Sequence, residues 1–224
     1  MTLKLFDFWT RATHLTRDDA LAQALRDDAD RAPLLDDSVL RFVTNVGVPT
    51  SQAPPFDGIA EYWIRDGAHN VVTEGLARAT APHIGARQVM LASPMVHVDY
   101  ARPHSGVKSM FLLTRRPELT RTEAVAYWRR EHAPLVARTL GDHLVRYTTN
   151  VGLPMNLTGW RDECSPYDGV AELWLDLDAD SMFEFVGSVA ETLLPDERAF
   201  LGTYRIFLSD ERIHRGMDDK ALPG

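Results

Sequence analysis

The sequence predicts an α+β protein made of two ferredoxin-like β-α-β-β-α-β units whose sheets pack face to face within one chain. Two observations lead to this fold. Two blocks of sequence occur twice in the same order, and a β-α-β-β-α-β unit covers only one face of its sheet with helices. A second copy of the unit supplies the cover for the other apolar face.

The duplication is visible in two matched blocks. Residues 40–49 (LRFVTNVGVP) return as residues 145–154 (VRYTTNVGLP), and residues 55–64 (PFDGIAEYWI) return as residues 166–175 (PYDGVAELWL). Because order and spacing are both kept, we interpret the chain as a tandem repeat. We place the units at residues 1–100 and 107–216, a turn-rich linker at 101–106 and a tail at 217–224.

The elements of the second unit follow from local patterns. Residues 110–113 are apolar and predict a first strand, and Thr120 followed by Glu123 predicts the capped start of a helix. Residues 146–151 and 170–175 are rich in β-branched and aromatic side chains, which indicates two strands. Helical spacing over residues 181–194 and a final strand at 204–208 complete the order.

Composition excludes several classes of partner. The net charge is -8 and the pI is near 5.4, which argues against nucleic acid, because polyphosphates need clustered lysine and arginine. The single cysteine, Cys164, allows no intrachain disulfide. The eight histidines show no spacing typical of metal sites, so we expect no metal.

No segment of the sequence predicts a signal peptide or a membrane span. Uninterrupted apolar runs fall short of the ~20 residues that a bilayer requires. Together with the lack of disulfides, this leads us to expect a soluble protein of the reducing cytoplasm.

His132 is the first candidate for chemistry. Val125, Trp128 and His132 fall at i, i+3 and i+7 of a predicted helix and therefore share one face. That face should point between helix and sheet, where an imidazole can move a proton near pH 7. The alternative is a core histidine bonded to a backbone carbonyl.

Three stretches of the second unit resemble the EthD domain, a member of the dimeric α+β barrel superfamily. They are residues 111–120 (FLLTRRPELT), 127–135 (YWRREHAPL) and 167–174 (YDGVAELW). The resemblance implies an intramolecular dimeric α+β barrel. The superfamily includes cofactor-free polyketide cyclases, dehydratases, isomerases and monooxygenases, and also haem-handling members, so fold alone does not fix the chemistry.

The first unit departs from this pattern where Arg31 stands in place of the histidine. Any activity implied by the resemblance is therefore better placed in the second unit. Arg31 is either a clamp for a carboxylate or a solvated cation at a helix end.

The candidate site has catalytic and binding members. We assign proton transfer to His132 and the orientation of a carbonyl, phenol or carboxylate to Tyr147 and Asn150. The candidate substrate-binding residues are Trp128, Tyr127, Arg31, Asn45, Glu172, Trp174 and His214. A structural reading competes for several of them: the paired asparagines could brace loops, and Glu172 could belong to an ion pair.

The working hypothesis is a cofactor-independent lyase or isomerase that dehydrates, decarboxylates or tautomerises a hydrophobic, aromatic or polyketide-like small molecule. One alternative is a haem- or small-molecule-binding accessory protein with His132, His97 or His214 as an axial ligand. Another is a cofactor-free oxygenase of activated phenols. We expect no nucleic-acid or membrane partner, and a homodimer of pseudo-dimers stays open.

Overall fold

The computed structural model describes residues 2–48, 54–68, 72, 75, 81–100, 106–154 and 163–216. The predicted tail at 217–224 and nearly all of the predicted linker at 101–106 lie outside these residues. Within them, no helix combines the length and the apolar character needed to cross a membrane.

The chain forms two compact units. The first comprises Met1–Ser93, Gly152–Ser165 and Asp210–Gly224, and the second comprises Pro94–Val151 and Pro166–Ser209. These units differ from the sequence repeats. The strands Ile84–Asp99 and Leu201–Gly216 each have one part in the first unit and one part in the second. The predicted domain boundaries at 1–100 and 107–216 describe the repeats in the sequence and stay a prediction.

The first unit is a sheet with the strand order β7-β4-β1-β3-β2-β9. The pairs β1–β3, β1–β4 and β2–β3 are antiparallel, and the short pair of β4 and β7 is parallel. The bounds are β1 Thr2–Arg11, α1 Arg17–Arg31, a 3-10 turn Ala32–Leu34, β2 Val39–Gly47, β3 Gly58–Arg65, the first part of β4 Ile84–Asp99, and β7 Glu163–Cys164. The last part of β9, the strand Leu201–Gly216, completes the sheet.

The second unit has the strand order β9-β5-β8-β6-β4. Its bounds are β5 Lys108–Arg115, α2 Arg121–Tyr127, a π-helical turn Trp128–His132, α3 Ala133–Leu140, a 3-10 turn Gly141–His143, β6 Leu144–Gly152, β8 Gly169–Leu175, α4 Ala179–Phe200 and β9 Leu201–Gly216. The last part of β4 lies beside β6 in this unit.

The α+β class predicted from the sequence is confirmed. The predicted helix start is also confirmed, since Thr120 caps α2 in a capping box with Glu123. The last strand is longer than expected: β9 covers Leu201–Gly216 and the prediction covered 204–208. The ferredoxin-like description of each unit and the face-to-face packing of their sheets stay predictions.

The repeated Asp-Gly motif ties a strand end to its neighbour. Asp57 accepts hydrogen bonds from the backbone N–H and guanidinium of Arg11, at 2.7 and 2.6 Å. Asp168 accepts the same two bonds from Arg115, with the backbone bond at 2.8 Å. The glycine after each aspartate has no room for a side chain; a Cβ on Gly169 would lie 2.7 Å from the Trp128 ring.

A buried ion pair recurs in each unit. Lys108 Nζ lies 2.6 Å from Glu172 Oε1, and Asn150 Nδ2 donates to Glu172 Oε2 at 2.7 Å. The ammonium also lies over the Trp174 ring, 4.6 Å from its centroid. The corresponding residues of the first unit, Lys4, Glu61, Asn45 and Trp63, make the same contacts. The repeated sequence blocks therefore encode a repeated polar cluster inside the protein.

Replacing Lys108 with methionine should lower the free energy of unfolding by about 3–5 kcal/mol, because the Glu172 carboxylate stays buried without its ammonium. Urea unfolding followed by circular dichroism measures this change. The control is Arg212→Met, which breaks an exposed pair with Asp210 and should cost less than about 1 kcal/mol. Equal losses in the two variants would contradict a stabilising role for the buried pair.

Candidate active site

An apolar cavity of about 200 Å³ lies in the second unit between its sheet and its helices. Strand alternation decides which side chains reach it, because successive residues of a strand point to opposite faces. Ser109, Phe111 and Leu113 of β5 line the cavity, as do Ala171, Leu173 and Leu175 of β8. The helices contribute Val136, Leu140, Val186, Ala190, Leu193, Leu194 and Phe200.

The π-helical turn Trp128–His132 carries two of the polar groups at the cavity. A π turn widens the helix by one residue, and such turns often occur at functional sites. Trp128 and His132 are both buried, at 4 % and 6 % exposure, and both line the cavity. The sequence predicted a regular helix at these positions, whereas the structure has a π-helical turn.

His132 is held by a carboxylate from another helix. Its Nδ1 lies 2.6 Å from Asp196 Oδ2, and the other oxygen, Oδ1, accepts a hydrogen bond from Tyr127 Oη at 2.7 Å. Because a carboxylate can only accept, Nδ1 carries the proton and Nε2 keeps its lone pair. No residue in the described parts of the chain bonds Nε2, so this nitrogen is available to a ligand.

Burial sets the protonation of His132. Loss of hydration lowers the pKa of the imidazole below the ordinary value of 6.5, while the hydrogen bond and charge of Asp196 raise it by a smaller amount. The ring is therefore neutral at pH 7. A neutral imidazole with a carboxylate on Nδ1 is the arrangement of a general base.

Tyr147 lies on the cavity face of β6. Its hydroxyl oxygen accepts a hydrogen bond from Trp128 Nε1 at 3.2 Å, which leaves the phenolic proton available for a ligand oxygen. Burial strongly raises the pKa of Tyr147, so the group stays a neutral donor at every pH at which the protein would be assayed.

Four polar residues at or beside the cavity, among the described residues, were not predicted from the sequence. Asp196 orients His132, and Glu197, Ser109 and Tyr204 line the cavity. Glu197 Oε2 and Ser109 Oγ are buried and form no hydrogen bond within the described part of the chain. Burial and the neighbouring Asp196 raise the pKa of Glu197.

A signal for Glu197 was present in the sequence. Five residues of α4 recur at helical spacing and line the cavity: Val186, Ala190, Leu193, Glu197 and Phe200. A carboxylate in the middle of an apolar stripe is an exception to ordinary amphipathic patterning. No comparable signal links Asp196 to His132, since their contact depends on how two helices pack.

The other predicted residues of the second unit lie elsewhere. Asn150, Glu172 and Trp174 belong to the buried polar cluster of Lys108 and do not line the cavity. Strand alternation is the reason: Glu172 and Trp174 alternate with the cavity-lining Ala171 and Leu173. Tyr127 contacts the site through Asp196 rather than through the cavity wall.

Three predicted residues lie in the first unit. Asn45 donates to Glu61 Oε1 at 2.6 Å, in the counterpart of the Lys108 cluster. Arg31 Nη1 donates to Tyr62 Oη at 3.1 Å and pairs with Asp28 at 3.4 Å. His214 belongs to a separate polar group, described next. The structure therefore does not gather these three residues at the cavity.

The two histidines of the long strands are bonded in equivalent ways. His214 Nε2 lies 3.0 Å from Thr44 Oγ1, and His97 Nε2 lies 3.0 Å from Thr149 Oγ1. Thr44 Oγ1 donates its own proton to Asp28 at 2.6 Å, so it accepts from His214. These contacts engage the Nε2 atoms of both rings.

Known proteins resemble the chain in two ways. Residues 116–203 match the model of the EthD domain family. No curated protein sequence matches the chain. Solved structures share its fold across almost the whole length of both chains.

Three of these structures illustrate the likeness. A protein of Lactobacillus acidophilus named "putative monooxygenase" has a TM-score of 0.54 and 8% identity, covering 95% of each chain. One of Fusobacterium nucleatum with the same name has a TM-score of 0.57 and 10% identity, covering 99% of this chain and 98% of that one. Chlorite dismutase of Candidatus Nitrospira defluvii in complex with imidazole has a TM-score of 0.53 and 8% identity, covering 93% and 91%. At these identities the likeness shows the fold alone.

Titration of His132 tests the geometry of the site. NMR of the imidazole should give a pKa below 6.5, and Asp196→Asn should lower it further, because the carboxylate that favours the charged ring is gone. Asp180→Asn is the control, since Asp180 is an exposed carboxylate in the first turn of the same helix. A pKa that rises or stays fixed in Asp196→Asn would refute the assigned contact.

Proposed function

We propose, from the premise that residues 116–203 form an EthD domain, that the second unit is a cofactor-independent enzyme of the lyase or isomerase type. It acts on a hydrophobic, aromatic small molecule by acid/base chemistry. His132 Nε2 takes a proton from the substrate and returns it at another atom or to a leaving group.

One observation carries this proposal: a neutral imidazole, fixed by Asp196 at 2.6 Å, forms part of the wall of an apolar cavity. The carboxylate orients the ring and stabilises the imidazolium that forms when Nε2 accepts a proton. An apolar cavity keeps water away from the proton that is moved. Dehydration and tautomerisation need little more than such a base and a donor for the substrate oxygen.

Tyr147 is the donor for that oxygen in the proposal. Its hydroxyl lies on the same cavity, and the bond from Trp128 Nε1 fixes its direction. A phenol donor placed where negative charge develops on a carbonyl or phenol oxygen lowers the barrier for proton removal. Asn150 is left out of this role because it belongs to the buried cluster of Lys108.

The size of the cavity limits the substrate. An apolar cavity of about 150 Å³ binds benzene, so a volume of about 200 Å³ suits one substituted ring. A polyketide-like molecule with several fused rings would require the cavity to enlarge. The partial exposure of Leu194 and Tyr204, at 38% and 41%, places the entrance beside them.

A cofactor-free oxygenase of phenols is the second candidate. The names of the Lactobacillus and Fusobacterium structures favour it, and the same base would remove the phenol proton before reaction with oxygen. Consumption of dissolved oxygen by an active preparation distinguishes it from a lyase or isomerase, which consumes none.

A haem-binding role fits the described residues poorly. The cavity beside His132 has the volume of one ring rather than of four linked pyrroles. His97 and His214 have their Nε2 atoms engaged by threonine hydroxyls. We therefore derive no step through haem.

Loss of the imidazole should abolish most of the activity. In a screen of one-ring phenols, enones and β-hydroxy ketones followed by absorbance and NMR, His132→Ala should lower kcat/KM by about a hundredfold or more. The rate of the unmodified enzyme should rise with pH and level off above a midpoint lower than 6.5, because only the neutral ring acts as a base.

The matched control is His14→Ala, which removes an exposed histidine of the first unit and should leave the rate unchanged. Circular dichroism establishes that both variants are folded. Unchanged turnover in folded His132→Ala would end the assignment of His132 as the base.

A further inference from the structure

Glu197 is a half-buried residue, with its Oε2 atom shielded from solvent, that the proposed proton transfer does not require. It lines the apolar cavity from α4, and its Oε2 has no hydrogen-bond partner among the described residues. Most buried polar atoms in proteins have a partner. A carboxyl oxygen that lacks a hydrogen-bond partner and borders a cavity can accept a hydrogen bond from a ligand in that cavity.

No cation shares the cavity with Glu197 in the described part of the chain. None of the described side chains that line the cavity is a lysine or an arginine. Two charged residues flank Glu197 in the chain: Asp196 is a carboxylate bonded to His132 and Tyr127, and Arg198 is exposed to solvent and does not line the cavity. Burial and the Asp196 carboxylate both raise the pKa of the Glu197 carboxyl, because both disfavour negative charge there.

We propose that Glu197 selects the ligand by charge, so that the cavity accepts neutral one-ring molecules and rejects carboxylates of the same shape. A carboxylate that entered would lose its hydration in an apolar cavity and would lie close to a second negative group. A neutral ligand avoids both costs, and its N–H or O–H group can donate to the unpaired Oε2.

Neutral polar groups of the ligand meet matching partners. Tyr147 offers a phenolic proton, and Ser109 Oγ, which is buried without a hydrogen bond in the described chain, can donate or accept. A ring that bears a hydroxyl, carbonyl or amide group therefore finds partners for its polar atoms, whereas a carboxylate finds no cation.

This inference rests on the proposed function and narrows it. Decarboxylation of a ring acid would place a carboxylate in the cavity, and the charge of the site opposes that step. Dehydration and tautomerisation of neutral ketones or phenols remain compatible with it. The substrate class is thus a neutral, singly ringed compound with at least one oxygen that can accept a hydrogen bond.

Benzamide and benzoate provide the test, because they share a shape and differ in charge. Binding is measured at pH 8 by calorimetry for the unmodified protein, Glu197→Gln and Glu191→Gln. Glu191 is the matched control, since it is an exposed glutamate on the same helix. We expect the unmodified protein to bind benzamide at least about tenfold more tightly than benzoate.

In Glu197→Gln this preference should shrink at least about fivefold, because the substitution removes the negative charge and keeps the shape. Glu191→Gln should keep the full preference. Three results would each overturn the proposal. The unmodified protein could bind the two compounds with equal affinity, Glu197→Gln could keep the full preference for benzamide, or neither compound could bind.

The same measurements on His132→Ala separate this inference from the proposed reaction. The charge preference should persist in that variant, because it depends on Glu197. If turnover is unchanged in His132→Ala while the preference for benzamide stands, the reaction assigned to His132 fails and the ligand class remains.

Discussion

The buried ion pair between Lys108 and Glu172 fixes the register of the second sheet. Glu172 lies opposite Met110 of β5 and Thr148 of β6, and Lys108 reaches it at 2.6 Å. A slip of one residue would turn the Glu172 carboxylate to the other face of the sheet, toward the helices, where it would lose this partner. The pairing therefore determines which face is left for Ala171, Leu173 and the cavity. Since Lys4 and Glu61 impose the same constraint on the first sheet, both units inherit the same division between a polar cluster and a helix-covered face.

On that shared frame the two units have diverged in the layer between helix and sheet. The position of Leu173, which lines the cavity, is occupied in the first unit by Tyr62, whose ring stacks on Phe42 with centroids 4.6 Å apart. The position of His132 is occupied by Arg31, which donates to the Tyr62 hydroxyl. A larger side chain and a direct hydrogen bond thus take the place of a base beside an apolar cavity. Duplication leaves one copy free to change in this way, because the other can keep the proposed site.

Local patterns revealed most of the fold and only part of the site. The repeated blocks predicted β6 and β8 to within a residue or two, and the capping box located the start of α2. The exchanged ends of β4 and β9 could not be predicted, because a strand's length does not say which sheet each part joins.

The helical face of Trp128 and His132 was predictable from spacing. The contact of His132 with Asp196 was not, since it joins residues far apart in sequence through helix packing. Strand alternation, applied strictly, would have separated Tyr147 from Asn150, because residues three apart lie on opposite faces.

The adjacent carboxyl groups of α4 show how the fold assigns different tasks to similar residues. Asp196 and Glu197 are about 100° apart around the helix, so they face different surroundings. Asp196 accepts two side-chain hydrogen bonds, from His132 and Tyr127, and orients the imidazole. Glu197 borders an apolar cavity with Oε2 unbonded within the described chain, where burial makes its charge unfavourable. Two carboxyl groups whose environments differ in this way suit different tasks: in the proposed acid/base site Asp196 supports the base, and Glu197 determines which ligands can approach it.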